Sequence, residues 1–184
     1  MASSALWRRL DTTSLDHFRL LEFAGGYILD GRVLMVLEDE PAEIHYAVMC
    51  DAAWVTQHAH VMLVRGTAAQ RLQLRRDDDG RWWRDDVALP ELDGIIDVDI
   101  SITPATNTLP IRRLSLGQGE SGATDAAWVR LPGLSVERLP QRYTRVSERS
   151  YRYESRGGAF TAELEVDSAG VVVRYGDLWE RATP

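Results

Sequence analysis

Short stretches of alternating apolar and polar residues recur along the chain and predict β-strands. Residues 44–51 are the clearest case, because every second side chain is apolar. One face of that strand would carry Ile44, Tyr46, Val48 and Cys50. Turn-forming residues separate the stretches, and the Asp77–Gly80 run predicts a hairpin turn. Regularly spaced strands joined by such turns indicate an antiparallel barrel or sandwich.

The alternation of apolar and polar residues is less regular in the first part of the chain. Residues 7–19 are predicted to form a short helix or an irregular lead-in, followed by a first strand at 20–23. Asp30-Gly31 indicates a bulge or turn within the stretch 27–37, and 117–124 is predicted to be a loop. The other predicted strands are 55–65, a strand opening at Leu72, 81–84, 127–131, 136–143, 150–154, 160–166 and 171–175.

The stretch 92–116 combines an alternating strand, a turn segment and two arginines. Asp97 and Asp99 share one face of the strand, with their positions about 6–7 Å apart. Pro104 ends the strand, since proline lacks the backbone donor of a ladder. Pro110 is expected to limit any helix between the two prolines to about one turn.

The charges of this stretch have three interpretations. Asp97 and Asp99 could pair with Arg112 and Arg113, because an arginine fork matches a carboxylate. The same charges could instead face a cavity and hold a polar head group. A catalytic carboxylate pair is the third interpretation, and it requires two groups with separated pKa values.

Composition limits the function classes. The chain has 184 residues and a net charge of −7, and all 21 basic residues are arginine. A single domain over 1–184 with a core of its own is expected. An acidic chain without a long basic run argues against nucleic-acid binding, and no stretch is apolar enough for a membrane span. The lone Cys50 allows no internal disulfide, and the N-terminus lacks a signal peptide, so a cytoplasmic location is predicted.

Three motifs resemble sites for a metal or a cofactor. Residues 117–122 match a dinucleotide fingerprint, but no helix fits before Pro132. The Asp77–Gly80 run suggests a calcium loop, but Arg75 would occupy the first ligand position. His58 and His60 share a strand face without a recognised zinc spacing. Neither a cofactor nor a metal is therefore predicted.

The segment DVDISITPATNTLPIRRLSL resembles the signature segment of a bacterial family described as "putative glycolipid-binding". The similarity extends to DDDGRWW, AWVRLPGLSVERLPQRY and FTAELEVDSAGVVVRYGDLWER. The resemblance implies a mainly β fold in which a strongly curved antiparallel sheet forms a half barrel or open barrel with few short helices. It also implies that the groove of this sheet binds a glycolipid or another amphiphile.

The family supplies no established catalytic residues, so the site must be chosen by chemistry. A head group at the mouth of the groove would need charged and aromatic side chains, although the tryptophans and tyrosines could equally fill the core. The candidate ligand-binding residues are Asp97, Asp99, Asn107, Arg112, Arg113, Trp54, Trp83 and Tyr46.

An internal repeat would give two similar half-sheets with a groove between them. Shifting the chain by 90 residues places Leu74 on Leu164 and Asp77 on Asp167, which suggests pseudo-repeats at about 45–90 and 135–180. The alternative explanation is that independent hairpins use the same turn-forming residues. Two such halves with an open edge would make a homodimer plausible.

Three hypotheses for function follow. The first is an amphiphile-binding protein. The second is an enzyme that uses Asp97 or Asp99 as acid or base on a small substrate, and the third is a structural or interaction domain with a packed interior. The volume of the interior should separate the third hypothesis from the other two.

Overall fold

The computed structural model describes residues 3–182, and most of them form β-strands of a single sheet. Within these residues one α-helix, α1, covers Thr108–Leu114, and 3-10 helices cover Pro90–Leu92, Ala105–Asn107 and Arg156–Gly158. The strands are β1 Ser3–Arg9, β2 Ser14–Phe23, β3 Gly26–Leu37, β4 Glu40–Asp51, β5 Thr56–Arg65, β6 Ala68–Arg76, β7 Trp82–Arg84, β8 Val87–Ala88, β9 Asp97–Ile100, β10 Ser121–Arg130, β11 Ser135–Arg145, β12 Ser150–Ser155, β13 Phe160–Val166, β14 Val172–Tyr175 and β15 Trp179–Arg181.

The order of the strands explains how the chain builds the sheet. It runs from β1, near the middle, outward strand by strand to β8 at one edge. The chain then crosses to β9 at the opposite edge and returns to β15, which pairs with β1. Within the described residues the pairs are antiparallel except β9 and β10. The sheet is open and curved, not closed into a barrel, so the expected curved half barrel is confirmed.

The predicted lead-in at 7–19 is wrong, because this region contains the end of β1 and the first six residues of β2. β2 alternates as the sheet requires, with every second side chain buried. Two of those inward positions are polar, Ser14 and Asp16. A buried serine and a buried carboxylate conceal the period of two that would identify the strand.

Asp30-Gly31 does not interrupt β3, which pairs in register with both neighbours along its length. Gly31 is required for a different reason. A Cβ atom there would lie 2.2 Å from Cζ of Tyr46, so only glycine leaves room for the ring. The predicted loop at 117–124 is shorter than expected, since β10 begins at Ser121.

The segment of residues 101–114, called the central segment below, lies largely inside the curve of the sheet. Residues 102–111 are all buried. The hydroxyl of Thr103 donates a hydrogen bond to Asp16 on β2, and the side chain of Asn107 accepts one from Tyr143 on β11. The central segment therefore contacts both halves of the sheet and fills much of its interior.

Pro110 does not end the helix, and α1 runs past it to Leu114. Proline at the third position of α1 lies in the first turn, where backbone N–H groups have no partner within the helix. The expectation of about one turn holds only for the part of the chain before Pro110.

Three tight turns share one hydrogen-bonding pattern. In each, an aspartate side chain accepts a backbone N–H four residues later, at Asp51, Asp77 and Asp167. The fourth residue of each turn has a left-handed backbone, with φ +80° at Gly80 and +78° at Gly170 but +65° at Trp54. The predicted hairpin at Asp77 is confirmed. The internal duplication stays a prediction, since these turns also suit hairpins in general.

None of the helices within residues 3–182 is both long enough and apolar enough to cross a bilayer.

Candidate binding site

A cavity of about 220 Å³ lies between the central segment and the inner face of the C-terminal half of the sheet. β9 and the central segment supply several of its polar side chains, including Asp99, Thr103 and Asn107. Strands β10 to β15 supply most of its walls, which are rich in aromatic residues. Among the described residues the interior is mostly packed, and this cavity is a compact space in it that polar and aromatic side chains line.

Asp99 is the carboxylate that faces this cavity. Its Oδ2 accepts a 2.6 Å hydrogen bond from Nε2 of Gln141, which also contacts the hydroxyl of Tyr153 at 3.0 Å. Burial raises the pKa of Asp99 to about 6, the hydrogen bond from Gln141 opposes this rise, and the nearby charge of Asp97 adds to it. Asp99 therefore changes its charge just below neutral pH.

A second carboxyl group lies behind Thr103. Oδ2 of Asp16 accepts a 2.5 Å hydrogen bond from Oγ1 of Thr103, and both residues contact the hydroxyl of Tyr46. Burial raises the pKa of Asp16 to about 7, although its two hydroxyl partners lower it in part. This cluster fixes the backbone beneath the cavity, and Thr103 is the member that lines it.

The aromatic wall is a set of rings that pack edge to face. Tyr153 lies 5.9 Å from both Phe160 and Tyr175, measured between ring centroids. Trp128 and Trp179 also line the cavity. Such rings provide apolar surface against which the C–H face of a ligand can pack.

Two arginines also line the cavity, and their environments differ. Arg9 pairs with Asp11 and lies over the ring of Trp179. The guanidinium of Arg156 lies 4.9 Å from the ring centroid of Trp128, and no hydrogen bond or ion pair joins it to another described residue. The backbone of Arg156 is left-handed, with φ +52°. Because no acidic side chain of the described residues pairs with it, the guanidinium of Arg156 is available to a ligand.

Asp97 has a structural role beside the cavity. Its oxygens accept bonds of 3.1 and 2.5 Å from Arg113 and one of 2.8 Å from Thr124. The predicted clamp between the aspartates and arginines is therefore confirmed for Asp97 and Arg113. It is wrong for Asp99, whose partner is Gln141, and for Arg112, which lies over Trp54.

The candidate residues fall in several places. Asp99 and Asn107 line the cavity, and Tyr46 touches it only through Thr103. Trp54 stacks on Tyr27, with ring centroids 4.1 Å apart, away from the cavity. Trp83 lies on β7, where its Nε1 donates to Asp77. The structure thus brings together only part of the set that the sequence suggested.

Several site residues escaped the sequence analysis. Asp16 could have been found from its position between Ser14 and Phe18 on an alternating strand, had β2 been recognised. Gln141 lies at an inward position of β11, and nothing local marks it as the partner of Asp99. Arg156 precedes Gly157-Gly158, and this pair is the signal of a tight turn.

Metal and thiol chemistry find little support in the described part of the chain. No group of three histidine, cysteine, aspartate or glutamate side chains there could hold a metal ion. Cys50 is buried, and burial raises the pKa of its thiol to about 12, so it stays protonated at neutral pH.

Comparisons with known proteins agree with this architecture. The family described as "Putative glycolipid-binding" matches residues 4–181. A crystal structure of a DUF1089 family protein from Pseudomonas aeruginosa is similar, with 33% sequence identity, a TM-score of 0.82 and 91% of each chain covered. No protein with a curated description matches the chain.

Proposed function

The chain belongs to the family described as "Putative glycolipid-binding", and from this premise we propose that its cavity binds the polar head group of a glycolipid-like amphiphile. The observation that supports this most directly is the composition of the cavity. One side offers the carboxylate of Asp99 and the side chain of Asn107, and the other offers aromatic rings. Sugars present hydroxyl groups and apolar C–H faces, which need these two kinds of partner.

The volume of the cavity limits how much of the ligand enters. A space of about 220 Å³ is below the roughly 300–1,000 Å³ of sites for drug-sized ligands. The central segment occupies the interior that acyl chains would otherwise fill. The proposal therefore concerns a head group of about one sugar ring, with the acyl chains outside this cavity.

Isothermal titration with octyl glucoside, kept below its micelle concentration, tests the proposal. We expect saturable binding of octyl glucoside and no such binding of 1-octanol, which has the same tail without the sugar. Asp99→Asn should weaken binding by about ten- to a hundredfold, because a hydrogen bond to a charged group contributes about 1.5–3 kcal/mol.

Asp125→Asn is the matched control. Asp125 lies on β10 and pairs with Arg138 near the surface, so its loss should leave binding unchanged. Equal binding of octanol and octyl glucoside, or equal affinities of the two variants, would count against a head-group site at Asp99.

A second candidate function is acid–base catalysis by Asp99, because the group faces a cavity and its pKa lies near neutral pH. Slow release of glucose from octyl glucoside, lost in Asp99→Asn, would support an enzyme. Binding without release would support a binding protein alone. The cytoplasmic location and the homodimer stay predictions.

A further inference from the structure

A second concave surface, the arginine groove, lies between α1, the turn from β11 to β12 and the turn from β13 to β14. Its volume is about 380 Å³, and its cations are Arg112, Arg145 and Arg149. The groove and the cavity share no lining residue. Val166 at the groove and Phe160 at the cavity lie at opposite ends of β13, so the two sites are about 20 Å apart.

The groove has an excess of positive charge in a chain whose net charge is −7. None of its three arginines forms an ion pair with another described residue. Two acidic residues line the groove, and one of them, Asp167, pairs with Arg181 at 2.9 Å. Only Glu148 is left to oppose the three guanidinium groups.

Arg145 is held in place without being neutralised. Its guanidinium donates to the backbone carbonyls of Leu116, Ser147 and Glu148 at 2.7, 3.1 and 2.7 Å. Carbonyl oxygens fix the position of the group but carry no full charge. The positive charge of Arg145 therefore remains available to an anion at a fixed position.

Arg112 is also positioned by packing. Its guanidinium lies 5.1 Å from the ring centroid of Trp54, an indole that also stacks on the ring of Tyr27. The stem of Arg112 passes Gly170 so closely that a Cβ atom there would lie 2.9 Å from Cδ. A side chain at position 170 would displace the arginine.

We propose that the arginine groove binds a phosphate group. Guanidinium groups bind phosphate through charged, often bidentate hydrogen bonds, and Ser115 and Ser168 line the same groove with hydroxyl donors. A lipid head group and a soluble phosphomonoester both present an anionic phosphate group. The groove therefore has two chemically equivalent sources of its ligand.

Isothermal titration with glycerol 3-phosphate at constant ionic strength tests the site. We expect saturable binding that weakens about tenfold in Arg149→Gln and in Arg112→Gln, through loss of a charged hydrogen bond. Arg71→Gln, which removes an equal charge from an exposed position on β6, should bind as the unmodified chain does. Arg149 is exposed, so its variant should keep the thermal stability of the parent.

Vesicle sedimentation identifies the source of the phosphate. Vesicles of phosphatidylcholine with added phosphatidic acid should retain the protein if a lipid phosphate is bound, and Arg149→Gln should release it. Binding of glycerol 3-phosphate without vesicle binding would assign a soluble ligand. Failure of both probes to bind, or equal binding by Arg149→Gln and Arg71→Gln, would overturn the site. Octyl glucoside carries no phosphate, so its binding in the cavity is tested separately.

Discussion

Asp16 and Thr103 are 87 positions apart in the chain, yet their side chains share a hydrogen bond of 2.5 Å inside the sheet. The bond joins β2, in the first half of the sheet, to the central segment. Tyr143 and Asn107 join the same segment to β11, in the second half. The central segment is thus a shared support for both halves, and the cavity forms on one side of it.

Asp16 should make stability depend on pH. Its pKa is raised to about 7 in the folded state and is near 3.8 when unfolded, so the unfolded chain loses this proton first as pH rises. The free energy of unfolding should therefore fall by about 3 kcal/mol between pH 4 and pH 7 through this group. Urea unfolding across this range should show a flatter dependence in Asp16→Asn, and parallel curves for both proteins would contradict this role.

Removing one partner of the Asp97–Arg113 pair should strongly destabilise the folded protein. Asp97 is 1% exposed, so Arg113→Met leaves a buried carboxylate without its cation. We expect a loss of about 3–5 kcal/mol in the free energy of unfolding. Arg19→Met breaks the exposed pair with Asp30 and should cost about 1 kcal/mol or less. Similar losses for the two variants, measured by urea unfolding, would refute the difference in environment.

The glycine and alanine variants of Trp54 should have the opposite order of stability from those of Trp82. Trp54 has φ +65°, where a side chain costs about 1–2 kcal/mol, so Trp54→Gly should be more stable than Trp54→Ala by about 1 kcal/mol. Trp82 lies on β7, where glycine is about 0.5–1 kcal/mol worse than alanine. Both tryptophans are buried, so all four variants should be destabilised. Thermal unfolding that ranks Ala above Gly at both positions would contradict the strain at Trp54.

Asp99 should make head-group binding depend on pH. Its pKa is raised to about 6, so the carboxylate that accepts a sugar hydroxyl is lost as pH falls through this value. The affinity for octyl glucoside should therefore be several-fold higher at pH 7.5 than at pH 5. Titration of Asp99→Asn at both pH values should give equal affinities. A pH dependence that survives in this variant would assign the effect to another group.

The sequence predicted the parts of the fold that local patterns determine. Strand β4 shows the alternation that its burial confirms, and the turn at Asp77 has the expected chemistry. β2 was missed because Asp16 occupies an inward position where an apolar residue is usual. Its burial is explained by hydrogen bonds from the hydroxyl groups of Thr103 and Tyr46, and no local pattern indicates these contacts.

Local sequence patterns also predict only part of the candidate site. The pairing of Asp97 with Arg113 follows from complementary charge within one short stretch. The partner of Asp99 is Gln141, on a strand brought near by the crossing of the chain to β9. Trp54 and Trp83 are aromatic like Trp128 and Trp179, and only the topology decides which of them line the cavity.

The indole N–H resonances of the six tryptophans provide the most direct test of the head-group site. In a ¹⁵N-labelled sample titrated with octyl glucoside, we expect the signals of Trp128 and Trp179 to shift, because both line the cavity. Trp54, Trp82 and Trp83 should keep their positions. Shifts confined to Trp54 or Trp83, or no shift at any tryptophan at saturating glucoside, would contradict a head-group site in this cavity.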